Sequence, residues 1–130
     1  MKRLLASGTL GLILSAVAVL IEAPSASAAP AAVVRAANQT DCRHRDSGSS
    51  IGPTNSGVYC RIPDRGHVGI LRYNNADRGV AWFDDWVMVP GWLVRRGHVL
   101  IVEDDYFRDR IDDARWVARR VGGHLVRIGA

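Results

Sequence analysis

Three of the four histidines follow a glycine, in Gly66-His67-Val68, Gly97-His98-Val99 and Gly123-His124-Leu125, and the first two extend to Arg-Gly-His-Val. Three imidazoles brought together could hold a zinc ion, as three-histidine catalytic sites do. The plainer meaning is a repeated glycine turn feeding a strand, with histidine at the first strand position. Neighbouring antiparallel strands start at opposite ends, which works against convergence, so no metal or other cofactor is assigned. Carboxylates cluster at Asp84-Asp85, Glu103-Asp104-Asp105 and Asp112-Asp113. A hydrolase of nuclease or glycosidase type could pair His67 or His98 with Asp84 or Asp104 for proton transfer and use arginines to hold an anion. Nothing in the spacing selects such a set. A turn, a helix start and helix-face ion pairs such as Arg108 with Asp112 account for the same carboxylates. No serine nucleophile elbow, HExxH helix or phosphate-binding glycine loop occurs in the chain.

Tryptophans offer contact rather than proton transfer. Trp82, Trp86 and Trp92 share parity, so a continuously extended segment would put all three on one face, where they could stack on a sugar or seat a protein. A small domain needs large side chains inside, and a core role fits Trp82 and Trp86. Trp92 and Trp116 remain as binding candidates. Trp116 falls opposite the apolar stripe of a helix, with Arg119 and Arg120 as cation-π partners.

Cys42 and Cys60 are the only cysteines. One disulfide is expected between them, because the chain opens like an export signal: Lys2 and Arg3, an apolar run over 10–21, then Ala26-Ser27-Ala28 as a cleavage site. The apolar run is shorter than the roughly 20 residues that span a bilayer, so no anchor is expected after cleavage. The enclosed segment is rich in turn formers, and on the chain-entropy model the bridge contributes roughly 3 kcal/mol.

The elements that would position these residues are short. Segment 29–40, alanine-rich, reads as a flexible N-terminal arm. β-rich runs follow at 58–62, 67–73, 80–83, 86–89, 92–94 and 98–102, separated by glycine, proline and aspartate turns. The period then lengthens: Phe107, Ile111, Ala114, Ala118 and Val121 fall on one helical stripe, with Asp104 and Asp105 as cap candidates and Gly122-Gly123 as the stop. A last strand is expected over 124–128. The fold class expected is α+β: a small twisted antiparallel sheet or partly closed barrel of five to six strands, one C-terminal amphipathic helix and one disulfide. The domain organisation expected is a signal peptide over 1–28, the arm over 29–40 and one disulfide-closed domain over 41–130.

Within 58–102, the stretch Trp86-Val87-Met88-Val89-Pro90-Gly91-Trp92-Leu93-Val94 resembles the closing pattern of bacterial SH3-like domains of secreted proteins. That resemblance implies a small β-barrel binding a cell-wall or peptide ligand.

Lysine and arginine number 17 against 13 aspartate and glutamate, a net charge of +4. Arginine and aspartate alternate along most of the chain, which gives little support to nucleic-acid binding. The function expected is a secreted, extracellular, non-catalytic binding or inhibitory module for a protein, peptide or glycan, working as a monomer. A small secreted hydrolase is the alternative.

Overall fold

A computed structural model of the chain describes residues 29–47 and 56–130. The expected signal peptide therefore lies outside the described residues. The elements in chain order are α1 (Ala31–Gln39), β1 (Arg43–Ser47), β2 (Ser56–Ile62), β3 (Gly66–Arg72), α2 (Ala76–Trp86), β4 (Gly91–Arg96), β5 (Val99–Glu103), α3 (Ile111–Val121) and β6 (His124–Ile128). All six strands join one antiparallel sheet in the order β1-β2-β3-β5-β4-β6. The sheet is open, with β1 and β6 at its edges, which corrects the barrel alternative.

Strand alternation gives the sheet two apolar faces. Val58, Cys60, Ile62, Val68, Ile70, Val94, Val99 and Ile101 project to one side and are covered by Val33, Ala36 and Ala37 of α1 and by Ala114, Val117, Ala118 and Val121 of α3. Leu71, Leu93, Leu100, Val102 and Ile128 project to the other, against Phe83 and Val87 of the α2 segment. Helices on both faces are what a sheet with two apolar faces requires.

Two segments differ from the sequence expectation. The alanine-rich arm is helix α1: Val33, Ala36, Ala37 and Thr40 recur at helical spacing and are all buried. Alanine buries little area per residue, so this stripe is weak as a pattern, yet it lets the helix approach the sheet closely. The runs at 80–83 and 86–89 are not strands. Ala76, Val80, Phe83 and Val87 form a helical stripe, and the Asn75 side chain caps α2 by accepting the Arg78 N–H. Packing of this stripe on the sheet outweighs the β-propensity of valine and tryptophan.

The expected final helix is present as α3, and it ends at Gly122, whose φ of 70° is the left-handed conformation that glycine adopts without cost. It is one of three helices and is followed by β6. Asp104 and Asp105 do not cap it, because α3 begins only at Ile111 after a compact loop. Arg108 pairs with Asp105 instead of Asp112, which takes Arg115. The disulfide joins Cys42, just after α1, to Cys60 in β2, and both cysteines are buried. It fastens the first helix to the sheet.

Candidate functional site

Helix α2 packs over β5 and β6, leaving the same face of β1, β2 and the start of β3 uncovered by a helix. Tyr59, Arg61, His67 and Gly69 project there, because they alternate with the buried Val58, Cys60, Val68 and Ile70. The Tyr59 ring lies on Gly69, where a Cβ would come within 2.9 Å of Tyr59 Cε1. Glycine at 69 is what lets the ring lie flat on the sheet. Two adjoining hollows meet at Tyr59 and Asp104. One, of about 400 Å³, is lined by His44, Asp46, Arg61 and His67. The other, of about 270 Å³, is lined by Leu71, Trp82, Phe83, Trp86 and Tyr106. Together they form a groove with a polar end and an aromatic end.

Trp82 and Trp86 sit one helical turn apart on α2 and stack, with ring centroids 5.3 Å apart and planes 9° from parallel. Trp86 is 63% exposed. That overturns the core role expected for it, since a helix turns every fourth residue to one side, and this side faces the groove rim. The next residues continue the apolar surface: Met88 is 91% and Val89 47% exposed. They are presented by a braced segment, because Gly129 packs against Val87 and Val89 while its N–H donates to Asp84 Oδ1 at 2.8 Å.

The loop 104–110 supplies Asp104 and Tyr106 and is held from below by Glu103. This carboxylate is 4% exposed. Its Oε1 accepts the N–H groups of Asp105 and Phe107, both at 2.9 Å, and Arg110 reaches its Oε2 at 3.3 Å. Arg110 also donates to the Arg65 carbonyl and pairs with Asp113, which takes Arg65 as well. Tyr106 and Phe107 have φ values of 58° and 49°, a left-handed backbone that L-residues adopt at a cost. The bonds to Glu103 hold that strain, and at Gly91 the chain passes so close to Tyr106 that a Cβ would lie 2.6 Å from its carbonyl oxygen.

Burial pushes both phenols upward from the ordinary tyrosine value. For Tyr106 a hydrogen bond with Trp86 works in the opposite direction and the charge of Asp104 adds to the rise. For Tyr59 burial is the cause. Its hydroxyl is the one buried side-chain polar atom among the described residues without a hydrogen-bond partner. A buried donor left unmatched costs about 1 to 3 kcal/mol.

Of the four residues proposed for proton transfer, His67 and Asp104 come together: Nδ1 and Oδ2 are 4.0 Å apart, and both side chains are mostly exposed. His98 and Asp84 lie elsewhere. His98 sits in the β4–β5 turn at the other end of the sheet, its Nδ1 3.0 Å from the Tyr73 carbonyl, and Asp84 is occupied with Gly129. His124 pairs with Arg95 at that same far end. The three Gly-His units therefore do not converge, because β3 runs antiparallel to β5. Among the described residues no group of three or more histidine, cysteine, aspartate or glutamate side chains is placed to hold a metal ion.

The binding candidates are on other surfaces. Trp92 is half-buried against the α1 and α3 core with Arg127 over its ring at 5.2 Å. Trp116 is half-buried too, with Arg65 at 4.1 Å and Arg120 at 5.2 Å from its centroid. Arg119 is exposed in the last turn of α3. Sequence reasoning missed Tyr59, Trp86 and Tyr106 as groove residues. Reading the stripe Ala76, Val80, Phe83 and Val87 as a helix would have turned Trp82 and Trp86 outward together.

Neither a scan against protein-family models nor searches of curated proteins and solved structures finds a match to this chain. Among the described residues no helix is long and apolar enough to cross a membrane.

Proposed function

We propose that the chain is an extracellular binding module that seats an apolar side chain of a protein or peptide ligand at the aromatic end of the groove. The observation that carries this reading is Trp86, stacked on Trp82 and exposed beside Met88 and Val89. Among the described residues these are three of the four large hydrophobic side chains left exposed. Exposed aromatic and thioether side chains close in sequence beside a hollow have the composition of a contact hot spot. The aliphatic and thioether part of the patch favours protein over sugar, for which aromatic faces ringed by polar groups are better suited. The buried disulfide supports an oxidising compartment.

A displayed peptide library selected on the wild-type protein tests this. The selected sequences should share an apolar anchor and lose binding to Trp86→Ala and Met88→Ala while keeping it to His67→Ala. Selection of peptides indifferent to Trp86 and Met88 would rule the reading out.

One observation favours a second reading, a small hydrolase: His67 faces Asp104 beside Tyr59 and Arg61. At 4.0 Å the pair is beyond hydrogen-bond reach, and proton transfer in a substrate complex would require it to close. Turnover of a nucleic-acid or glycan substrate that follows a bell-shaped pH profile and disappears in both His67→Ala and Asp104→Asn would establish this reading in place of the first.

A further inference from the structure

We infer that a second site, at the far end of the sheet from His67, binds a small anion carrying two or more phosphate or sulfate groups. A cleft of about 390 Å³ lies there between α1, the end of β3 and the β4–β5 turn. Its charged lining is entirely basic: Arg35 from α1, Arg72 from β3 and Arg96 from β4, joined by the imidazole of His98. No carboxylate lines it. The floor is apolar, formed by Ala32, Ala36, Val99 and Val121.

The fold itself assembles this set. Arg72 and Arg96 both register against Val99, on either side of β5, so the two strand ends place their arginines around one point. Helix α1 crosses above and adds Arg35 from its exposed face. Two of the three have neighbours of their own: Arg72 donates to Asn74 Oδ1 at 3.0 Å, and the Arg96 guanidinium lies 3.5 Å from the Gly122 carbonyl. The Tyr73 carbonyl can only accept, so His98 Nδ1 carries the proton in that 3.0 Å bond and Nε2 is the other imidazole nitrogen, not used there.

Two carboxylates elsewhere in the fold are engaged with other arginines, Asp77 with Arg95 and Asp113 with Arg65 and Arg110. Planar guanidinium forks match the oxygens of phosphate and sulfate in pairs, and forks from three separate elements suit a ligand with more than one anionic group. No tryptophan, tyrosine or phenylalanine ring lines the cleft, so it lacks the large stacking surface that single-stranded nucleic acid uses, and its volume suits a small ligand.

The experiment is calorimetric titration of the full chain with tripolyphosphate and, separately, with a heparin-derived tetrasaccharide. Wild type is compared with Arg35→Gln, Arg96→Gln and, as a control of equal charge change, Arg78→Gln on the exposed face of α2. Saturable binding of one probe molecule per chain is expected, weakened about tenfold by each cleft substitution and less than twofold by Arg78→Gln. The tighter of the two probes identifies phosphate or sulfate as the natural group. Arg35 is exposed on its helix, so its variant reports even if Arg96→Gln unfolds. Trp86→Ala should leave this affinity unchanged, which separates the cleft from the aromatic groove. Absence of saturable binding to both probes, equal loss in all three arginine variants, or preferential binding of an oligonucleotide that Arg78→Gln weakens equally would overturn the assignment.

Discussion

Tyr59→Phe removes a single oxygen from the floor of the groove. The ring keeps its place on Gly69, so the contacts of the aromatic face are retained. What changes is the hydroxyl, buried without a partner among the described residues. Relief of an unmatched buried donor is worth about 1 to 3 kcal/mol, and the void left by one oxygen takes back a few tenths at roughly 24 cal/mol per Å³. The free protein should therefore gain about 1 kcal/mol, which for a domain of this size corresponds to a rise in Tm of roughly 4 to 8 °C. Urea and thermal unfolding followed by circular dichroism at neutral pH measure it. The same substitution should leave the affinity for the selected peptide unchanged, because the hydroxyl is buried and the ring keeps its place against Gly69. A gain in stability with binding retained is the signature. A loss of stability of 1 kcal/mol or more on Tyr59→Phe would refute the reasoning, since it would mean that the hydroxyl is already bonded in the folded chain.

Three further outcomes follow from the geometry. Glu103→Ala leaves the Asp105 and Phe107 N–H groups and the Arg110 guanidinium without their shared acceptor, and should cost about 3 kcal/mol in urea unfolding, with Glu103→Gln costing less because it keeps the acceptor oxygen. Reduction of the disulfide, or Cys42→Ser with Cys60→Ser, reopens a loop of sequence separation 18 and should cost about 3 kcal/mol, measured as the shift in urea midpoint with and without reductant. Because burial raises the folded-state values of Tyr59 and Tyr106 above the unfolded value near 10, their contribution to stability is complete below about pH 10 and is lost as pH rises through the folded values. The thermal midpoint should fall across that alkaline range, and less steeply in Tyr59→Phe; a midpoint independent of pH there would contradict the burial of the phenols.

Strands over 58–62, 67–73, 92–94, 98–102 and 124–128 could be read from alternation and glycine turns, and each lies in the sheet within a residue or two at its ends. The stop at Gly122 could be read because its chemistry is local: a helix end prefers a residue that accepts positive φ. The pairing of Cys42 with Cys60 required only counting. Strand β1 could not be read, since Arg43–Ser47 has five exposed positions and no alternation, and it is paired through its backbone to β2. Helix α2 was obscured because valine and tryptophan favour strands, and only the apolar face of the sheet beneath it selects the helical stripe.

Composition, the disulfide and the antiparallel β-rich character were thus determined by residue type and by spacing over a few positions. Neither binding surface was. Tyr59, Trp86 and Tyr106 come from β2, α2 and the loop after β5, and Arg35, Arg72 and Arg96 from α1, β3 and β4. Along the chain the arginines alternate with aspartates and look balanced, whereas in the fold no carboxylate lines the cleft and its arginines gather at one sheet end. Sequence spacing governs which side of its own element a residue faces. Which sides meet is decided by strand order and by the packing of each helix on a sheet face, and these depend on contacts between residues tens of positions apart.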